Sequence, residues 1–395
     1  MLSKARKLIP NPLVNTFWHL PKAILANLFY GFPSRKLTII GITGTSGKTT
    51  TALLTYHVLK KAGFRVALIS TISAKIGDQE IDIGLHVTNP DPFPLQKLLK
   101  DIYKQGFTHL VLETTSHGLD QHRVWGVNFT YGILTNIAHE HLDYHKTLEN
   151  YQKAKLKLIK KSKIAVINKS DKSYQLATKA SSKKIIEFDH LSHFTSKNLI
   201  GSFNQANISA TTVVAKDLKI PINTIKKAIS SFPGIPGRME VIQSKPFTII
   251  IDFAHKPDAL EAALKSLRKM TKYKVISVFG CAGLRDTLKR PIMGGIASKL
   301  SDITIITAED PRIEKVTDIN DAIESGFIKK KTNKLYREPD RQKAINLAIN
   351  LAKPGDIVAL FGKSHEKSMC FGTIEHPWSE HQAVNKALKS RQNKS

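Results

Sequence analysis

The chain is short of cysteine, of acidic residues and of long apolar runs, and each shortage narrows what it can be. Cys281 and Cys370 are its only cysteines, which make no disulfide framework and suit a reducing compartment. The apolar stretch 13–32 is interrupted by His19, Pro21, Lys22 and Asn27, which argues against a spanning helix and for a packed or interfacial one. Asp and Glu number 32 against 60 Lys and Arg, a net charge of +28 that attracts polyanions. The lysines are scattered along the chain, in runs such as 153–163 and 329–334, without interleaved aromatics for base stacking. Solvated surface lysines with a polyanionic small substrate are therefore preferred to nucleic acid. No signal peptide, internal repeat or low-complexity segment is visible. The hydrophobic fraction of 41% and charged fraction of 23% are those of a globular protein, and 395 residues suffice for two or three domains.

What the chain does contain is a glycine-rich loop, Gly41-Ile42-Thr43-Gly44-Thr45-Ser46-Gly47-Lys48-Thr49-Thr50, between the apolar run 37–40 and the helix-patterned segment 50–62. It reads as a phosphate cradle. Glycines let successive N–H groups turn toward an anion, the following helix N-terminus adds partial positive charge, Lys48 can reach terminal phosphates and Thr49 can ligate Mg²⁺. The general G-x-x-x-x-G-K-[ST] spacing is missed, because Ile42 stands where its first glycine belongs. A plain glycine-rich strand-to-helix turn is the alternative.

Apolar β-branched runs at 37–40, 66–69, 109–112, 131–134 and 164–167 alternate with helix-patterned segments, which predicts a mostly parallel sheet covered by helices. Ser231-Phe232-Pro233-Gly234-Ile235-Pro236-Gly237 suits a hinge, and a second series follows at 247–251, 274–279, 303–306 and 357–361. The expected fold class is α/β. It comprises a helical extension at 1–36, a P-loop ATPase-type central domain at 37–233 and a Rossmann-like C-terminal domain at 234–395.

Ligands of open α/β sheets sit at the carboxyl ends of strands, and those ends are polar here. Glu113 can meet Mg²⁺ held by nucleotide phosphates, or be a loop or capping acid. The segment His139 to His145 is dense in metal-capable groups, but no cysteine completes a zinc set, so Mg²⁺ or phosphate is preferred. Lys155, on an amphipathic helix pattern, reads by itself as a solvated lysine. Arg312 and Glu366 offer a cationic fork and a carboxylate suited to a zwitterionic amino acid, or else form an ordinary salt bridge. Polar strand ends in both domains suggest a cleft holding two substrates.

The ordered series of motifs, from residue 37 to the C-terminus, resembles the Mur ligase family, in particular its members that add a diamino acid as third residue of the peptidoglycan stem. The motifs are Gly-Thr-Ser-Gly-Lys-Thr-Thr from Gly44, Ser116-His117-Gly118-Leu119-Asp120-Gln121-His122-Arg123, His141-Leu142-Asp143-Tyr144-His145, 204–207, Pro236-Gly237-Arg238-Met239-Glu240, 252–255, Lys289-Arg290-Pro291, Asp310-Pro311-Arg312 and His365-Glu366. The resemblance implies ATP- and Mg²⁺-dependent amide formation through an acyl phosphate, in the bacterial cytoplasm. Lys48, Lys155 and His141 match catalytic positions. Gly44, Thr45, Ser46, Gly47, Lys48, Thr49, Thr50, Asn207, Arg238, Asp252 and His255 match ATP contacts. Thr49, Glu113, His141 and Lys155 match Mg²⁺ ligands, the last as a lysine carbamylated by CO₂. Thr88, Asn89, Thr115, Gln121 and Arg123 match contacts to the muramoyl dipeptide. Arg285, Glu309, Asp310, Pro311, Arg312, Gly362 and Glu366 match the diamino-acid pocket.

Several positions depart from the family pattern. Glu309-Asp310-Pro311-Arg312 stands for the usual Asp-Asn-Pro-Arg, Ser46 for Asn, Thr115 for Ser and Ser364 for Gly. An arginine at 312 goes with meso-diaminopimelate, whose distal carboxylate L-lysine lacks, but the added acid beside it can neutralise it. Only 36 residues precede the first strand, so the family's N-terminal UDP-binding domain is expected to be missing. Stretch 13–32 is expected to cap the ATPase domain rather than touch membrane. The leading expectation is a monomeric ligase joining a diamino acid to a muramoyl dipeptide, without nucleic-acid partners. The alternatives are a lysine-adding enzyme or an amide ligase with another acid acceptor and, in a different class, a non-catalytic or nucleic-acid-binding P-loop protein.

Overall fold

The computed structural model describes residues 11–81, 88–138, 140–181, 183–330 and 332–393. They form two compact units, one holding the described residues up to Ser196 with Ser202–Phe232, the other Lys197–Gly201 with the residues from Pro233 on. Among the described residues the first unit is built on the strands β1 (Thr38–Thr43), β2 (Val66–Ile69), β3 (Ala74–Ile76), β4 (Gln79–Ile81), β5 (His109–Glu113), β6 (Phe129–Leu134), β7 (Ile164–Asn168) and β8 (Lys184–Phe188). Their order in the sheet is β4-β3-β2-β5-β1-β6-β7-β8, with β1 parallel to both neighbours and the turn-linked β3 and β4 antiparallel. Helices cover both faces, so β1 carries apolar residues without alternation: Ile39, Ile40 and Ile42 are all fully buried.

An N-terminal helical segment precedes the sheet: Asn11–Val14, a π-helical turn Asn15–His19, and α1 (Leu20–Tyr30), ended by Gly31 at φ 72°. Asn15, Ala23, Ala26 and Asn27 are buried against the unit. Asn27 Nδ2 donates to the carbonyls of Ala23 and Trp125. The stretch thus caps this unit. No described helix is long and apolar enough to cross a membrane.

The second unit carries β9 (Glu240–Gln243), β10 (Thr248–Asp252), β11 (Val275–Phe279), β12 (Ile303–Ile306), β13 (Lys334–Arg337) and β14 (Ile357–Phe361) in the order β13-β12-β11-β14-β10-β9, all parallel but the β9 edge. A separate hairpin joins β15 (Ser368–Phe371) to β16 (Ile374–Pro377). Two apolar clusters cover the faces of the sheet, one around Leu260, Phe279 and Met293, the other around Ile249, Ile345 and Val384. β8 and β13 escape the sequence pattern because they are short edge strands carrying Lys184, Glu187, Lys334 and Arg337, charges that discourage further pairing.

Candidate functional site

β1 ends in the glycine-rich loop, which leads into α2 (Lys48–Lys61). Gly44 and Gly47 lie at φ 154° and 82°, and neither tolerates a side chain: a Cβ would fall 1.8 Å from Thr135 Oγ1 or 2.4 Å from Asn207 Oδ1. The loop is braced from outside. Asn136 accepts from the N–H groups of Thr45 and Ser46, and Thr135 Oγ1 donates to the Ser46 carbonyl. The Thr45 hydroxyl bonds Tyr151 OH and accepts from Ala138 N. On the far side, α4, taken here as Phe203–Asp217 with α3 as Leu148–Lys161, presents Asn207, whose Oδ1 accepts from Thr51 Oγ1 and whose Nδ2 donates to Asn204. Thr50 is buried in the first turn of α2.

Cations and hard oxygens gather at this loop. Lys48 Nζ lies 2.8 Å from the carbonyls of Gly44 and Thr45. Lys155, on α3 and 1% exposed, donates to the Gly44 carbonyl at 2.6 Å with Tyr151 beside it. Burial first, and then the charge of Lys48, hold the Lys155 amine well below the usual lysine range, with Glu113 acting in the opposite sense. Glu113, itself 1% exposed at the end of β5, accepts from Thr49 Oγ1 at 3.0 Å, from Thr71 Oγ1 at 2.9 Å and from Thr71 N at 3.0 Å. Thr49 and Glu113 therefore form an oxygen pair of the kind Mg²⁺ prefers, beside an ammonium suited to phosphate. This donor set fits ATP with Mg²⁺. The other histidine-rich residues lie close by: His141 Nε2 is 3.1 Å from Glu140, and its ring is 4.9 Å from that of His117. His139 of that segment is outside the described residues. No group of three or more His, Cys, Asp or Glu among the described residues forms a metal cluster on its own.

The residues expected to meet the dipeptide form one chain of bonds leading from Glu113. The Thr88 hydroxyl pairs with that of Thr71. Asn89 donates to the Glu113 carbonyl and accepts from Thr115 N and Oγ1. Arg123 donates to the Asn89 carbonyl and to Gln121 Oε1, and Gln121 reaches Tyr144 OH.

In the second unit, Arg238 lies over the Phe253 ring at 4.4 Å, Asp252 accepts from Met239 N and Ala254 N, and the His255 ring bonds the Phe253 carbonyl. Burial raises the Asp252 carboxyl, against the charge of Arg238 and these N–H bonds. Around Pro311, Asp310 and Arg312 both adopt φ values of 42° and 53°, a region costly for non-glycine residues. The hairpin β15–β16 holds them there: Cys370 N donates to Asp310 Oδ1, and Arg312 N donates to the Cys370 carbonyl. Arg312 Nη1 donates to the Gly283 carbonyl at 2.6 Å. Glu366 takes Lys363, not Arg312, as its cation at 2.6 Å, and the same ammonium binds Asp310 at 2.8 Å. Glu309 is 6% exposed, and burial pushes its carboxyl up to about 7, opposed by Lys289 and Arg341. Gly362 leaves it room, since a Cβ there would lie 2.5 Å from Glu309 Oε2. Arg285 is exposed.

The profile of the Mur ligase middle domain matches residues 42–227, and that of the Mur ligase, glutamate ligase domain matches residues 237–364. The chain belongs to the Mur ligase family. It is 39% identical to the UDP-N-acetylmuramoyl-L-alanyl-D-glutamate--2,6-diaminopimelate ligase of Aquifex aeolicus, over 92% of this chain and 80% of that one. The protein of the same name from Bacillus cereus is 34% identical over 98% of this chain and 84% of its own. The UDP-N-acetylmuramyl-tripeptide synthetase of a Roseiflexus species is 35% identical over 93% and 81%. A solved structure of a UDP-N-acetylmuramoyl-L-alanyl-D-glutamate--2,6-diaminopimelate ligase superposes with a TM-score of 0.65 at 30% identity, over 90% of this chain and 79% of that one. The Mycobacterium tuberculosis folylpolyglutamate synthase shares the fold, with a TM-score of 0.71 at 15% identity over 87% of this chain and 92% of that one.

One departure from the Mur ligase pattern has a geometric explanation. Ser364 sits at φ 50°, a conformation that favours the family's glycine, and its hydroxyl is held by the Gly237 carbonyl at 2.7 Å. Other partners escape a reading by motif. Thr71 lies just beyond the end of β2, where strand-end position alone points to it. Lys363 is 1% exposed and Lys289, which donates to the His255 carbonyl, is 8% exposed. Sequence gives no warning of either, because lysine is usually solvated.

Proposed function

We propose that this Mur ligase joins a diamino acid, meso-diaminopimelate, to the D-glutamate carboxylate of UDP-N-acetylmuramoyl-L-alanyl-D-glutamate, in the bacterial cytoplasm where ATP and the nucleotide-linked precursor meet. The observation that carries the reading is the convergence of Lys48, Lys155, Thr49 and Glu113 on the carbonyl end of β1, in a chain with the relatives named above.

When bound, ATP supplies the phosphoryl group that turns the carboxylate into an acyl phosphate, and Mg²⁺ offsets the charge on the phosphates. Lys48 is placed to neutralise a terminal phosphate once it turns from its carbonyl partners. Thr49 and Glu113 would hold one metal ion, and His141 a second. Lys155 would serve as a carbamate: its amine adds to CO₂ with loss of a proton, giving an anion that can ligate metal. Burial and the field of Lys48 favour the unprotonated amine this needs. Thr88, Asn89, Thr115, Gln121 and Arg123 would position the dipeptide. Asn207, Arg238, Asp252 and His255 would hold the nucleotide.

Arg312 supports diaminopimelate over lysine, because its acidic neighbours answer to other groups. Asp310 is committed to Lys363 and Cys370 N, while the Glu309 carboxyl is raised by burial and its facing cations are Lys289, Arg341 and Lys363. The guanidinium keeps charge for a distal carboxylate. ADP release with UDP-linked and nucleotide-free dipeptide, and with each diamino acid, tests the whole reading. Background turnover with every combination would refute it; turnover only with lysine would refute the choice of amino acid.

A further inference from the structure

The helical segment before β1 is folded inside out. Both of its described, buried polar residues are asparagines turned to the protein: Asn15 Nδ2 donates to Asp120 at 2.8 Å, and Asn27, fully buried, fits so tightly that a Cβ on Gly126 would lie 2.3 Å from its Oδ1. Its large apolar residues face outward. Phe17, Trp18, Leu25, Leu28 and Phe29 are 74%, 69%, 59%, 61% and 72% exposed. With Leu13 at the start, their intervals of four, one, seven, three and one residues keep them on one side of the helical segment. Burial of so much aromatic and aliphatic surface is favourable, and the unit itself does not provide it.

Charge identifies the occupant. Residues 1–77 contain no Asp or Glu; Arg35 and Lys36 follow the helical segment, Lys4, Arg6 and Lys7 precede it in the sequence, and Lys22 within it pairs with Asp91 at 2.9 Å. Arg35 and Lys161 also line, with Trp125, a pocket of about 540 Å³ next to the end of α1. Bulky aromatics flanked by cations suit the headgroup region of an anionic bilayer, where rings enter the acyl boundary and ammonium groups meet phosphates. A second copy packed symmetrically on the same face would bring these cations against their own counterparts. We propose that this face rests on an anionic lipid surface, with the helix lying in the plane of the interface. The proposal stands apart from the assignment of the ligase substrate.

The test uses the full chain and vesicles of phosphatidylcholine, alone or with about one third phosphatidylglycerol. Sedimentation should carry the protein down with the anionic vesicles, less so at high salt, and Trp18 emission should shift to the blue. The triple variant Phe17→Ser, Trp18→Ser, Phe29→Ser should lose at least about ten-fold in partitioning. Its thermal melting, read without any substrate, controls for folding. Absence of binding to either vesicle, or equal binding by the variant, would overturn the proposal. So would a wild-type dimer in sedimentation velocity that the variant abolishes together with vesicle binding, since the face would then belong to a second copy.

Discussion

Lys155 Nζ and the Gly44 carbonyl oxygen meet at 2.6 Å beneath the glycine-rich loop, and the lysine side chain is almost wholly buried there. A lysine so placed has left water for a site already holding Lys48, so its neutral amine is favoured. By its helix pattern alone the same side chain reads as one of many surface lysines, and only the resemblance to the Mur ligase family singles it out.

Replacing Lys155 by Ala should lower amide formation on the order of a thousand-fold, the scale for removing a charge-stabilising group from an active site. Short carboxylates added to the variant should restore part of the activity by standing in for the carbamate. Carbon-13 NMR of the wild type under labelled CO₂ should show a carbamate resonance that the variant lacks. Unchanged ADP release by the variant would remove Lys155 from the mechanism.

Glu309 gives a prediction in pH. Its folded-state carboxyl is raised from 4.5 to about 7, so below pH 4.5 both folded and unfolded chains hold the proton and stability is unaffected. Between these values the unfolded chain releases a proton that the folded one keeps, and stability falls as pH rises; above about 7 the penalty is constant. The full shift corresponds to at most about 3 kcal/mol. Glu309→Gln should therefore match wild type in denaturant midpoint near pH 4.5 and exceed it at pH 8. An equal difference at both pH values would contradict the raised carboxyl.

The phosphate loop, the strand ends and the ordered motifs were legible because each depends on local sequence. Gly44, Gly47, Lys48 and Thr49 follow one another, and Glu113 ends a continuous apolar strand. What escaped depends on residues distant in sequence. Lys363 is buried between two acids, Glu366 three residues on and Asp310, 53 residues away, and the second is not visible from local sequence. The stretch 13–32 was legible only as packed or interfacial, because Leu and Phe are normally the buried residues of such a stretch, whereas here Asn15, Ala23, Ala26 and Asn27 take the inner positions.

Arg341 and Glu380 form another such distant pair, on α5 (Arg341–Leu351) and α6 (Glu380–Gln392), with exposures of 1% and 0%. Arg341 also donates to the carbonyls of Ala308 and Phe361, the residues just before Glu309 and Gly362. Removing one partner leaves a buried charge alone, which costs about 3–5 kcal/mol. Arg341→Met should lower the denaturation midpoint of the second unit accordingly and raise KM for the diamino acid more than KM for ATP. A fall in stability with both KM values unchanged would limit the pair to a structural role.

On the proposed reading, Arg312 sets which diamino acid is taken. Its backbone is fixed by Cys370 and its Nη1 by the Gly283 carbonyl, so the guanidinium is pre-oriented rather than free to swing. A charge-assisted bond to a distal carboxylate is worth about 1.5–3 kcal/mol, or roughly ten- to a hundred-fold in kcat/KM. Arg312→Ala should lose that factor with meso-diaminopimelate and change L-lysine turnover little, since lysine has no carboxylate at that end. Arg312→Lys should recover only part of it, because an ammonium cannot make the forked contact. Competition between the two amino acids in one ADP-release assay reads the preference directly. An equal loss with both substrates would mean that Arg312 serves the loop around Pro311, and that specificity is set elsewhere in the pocket.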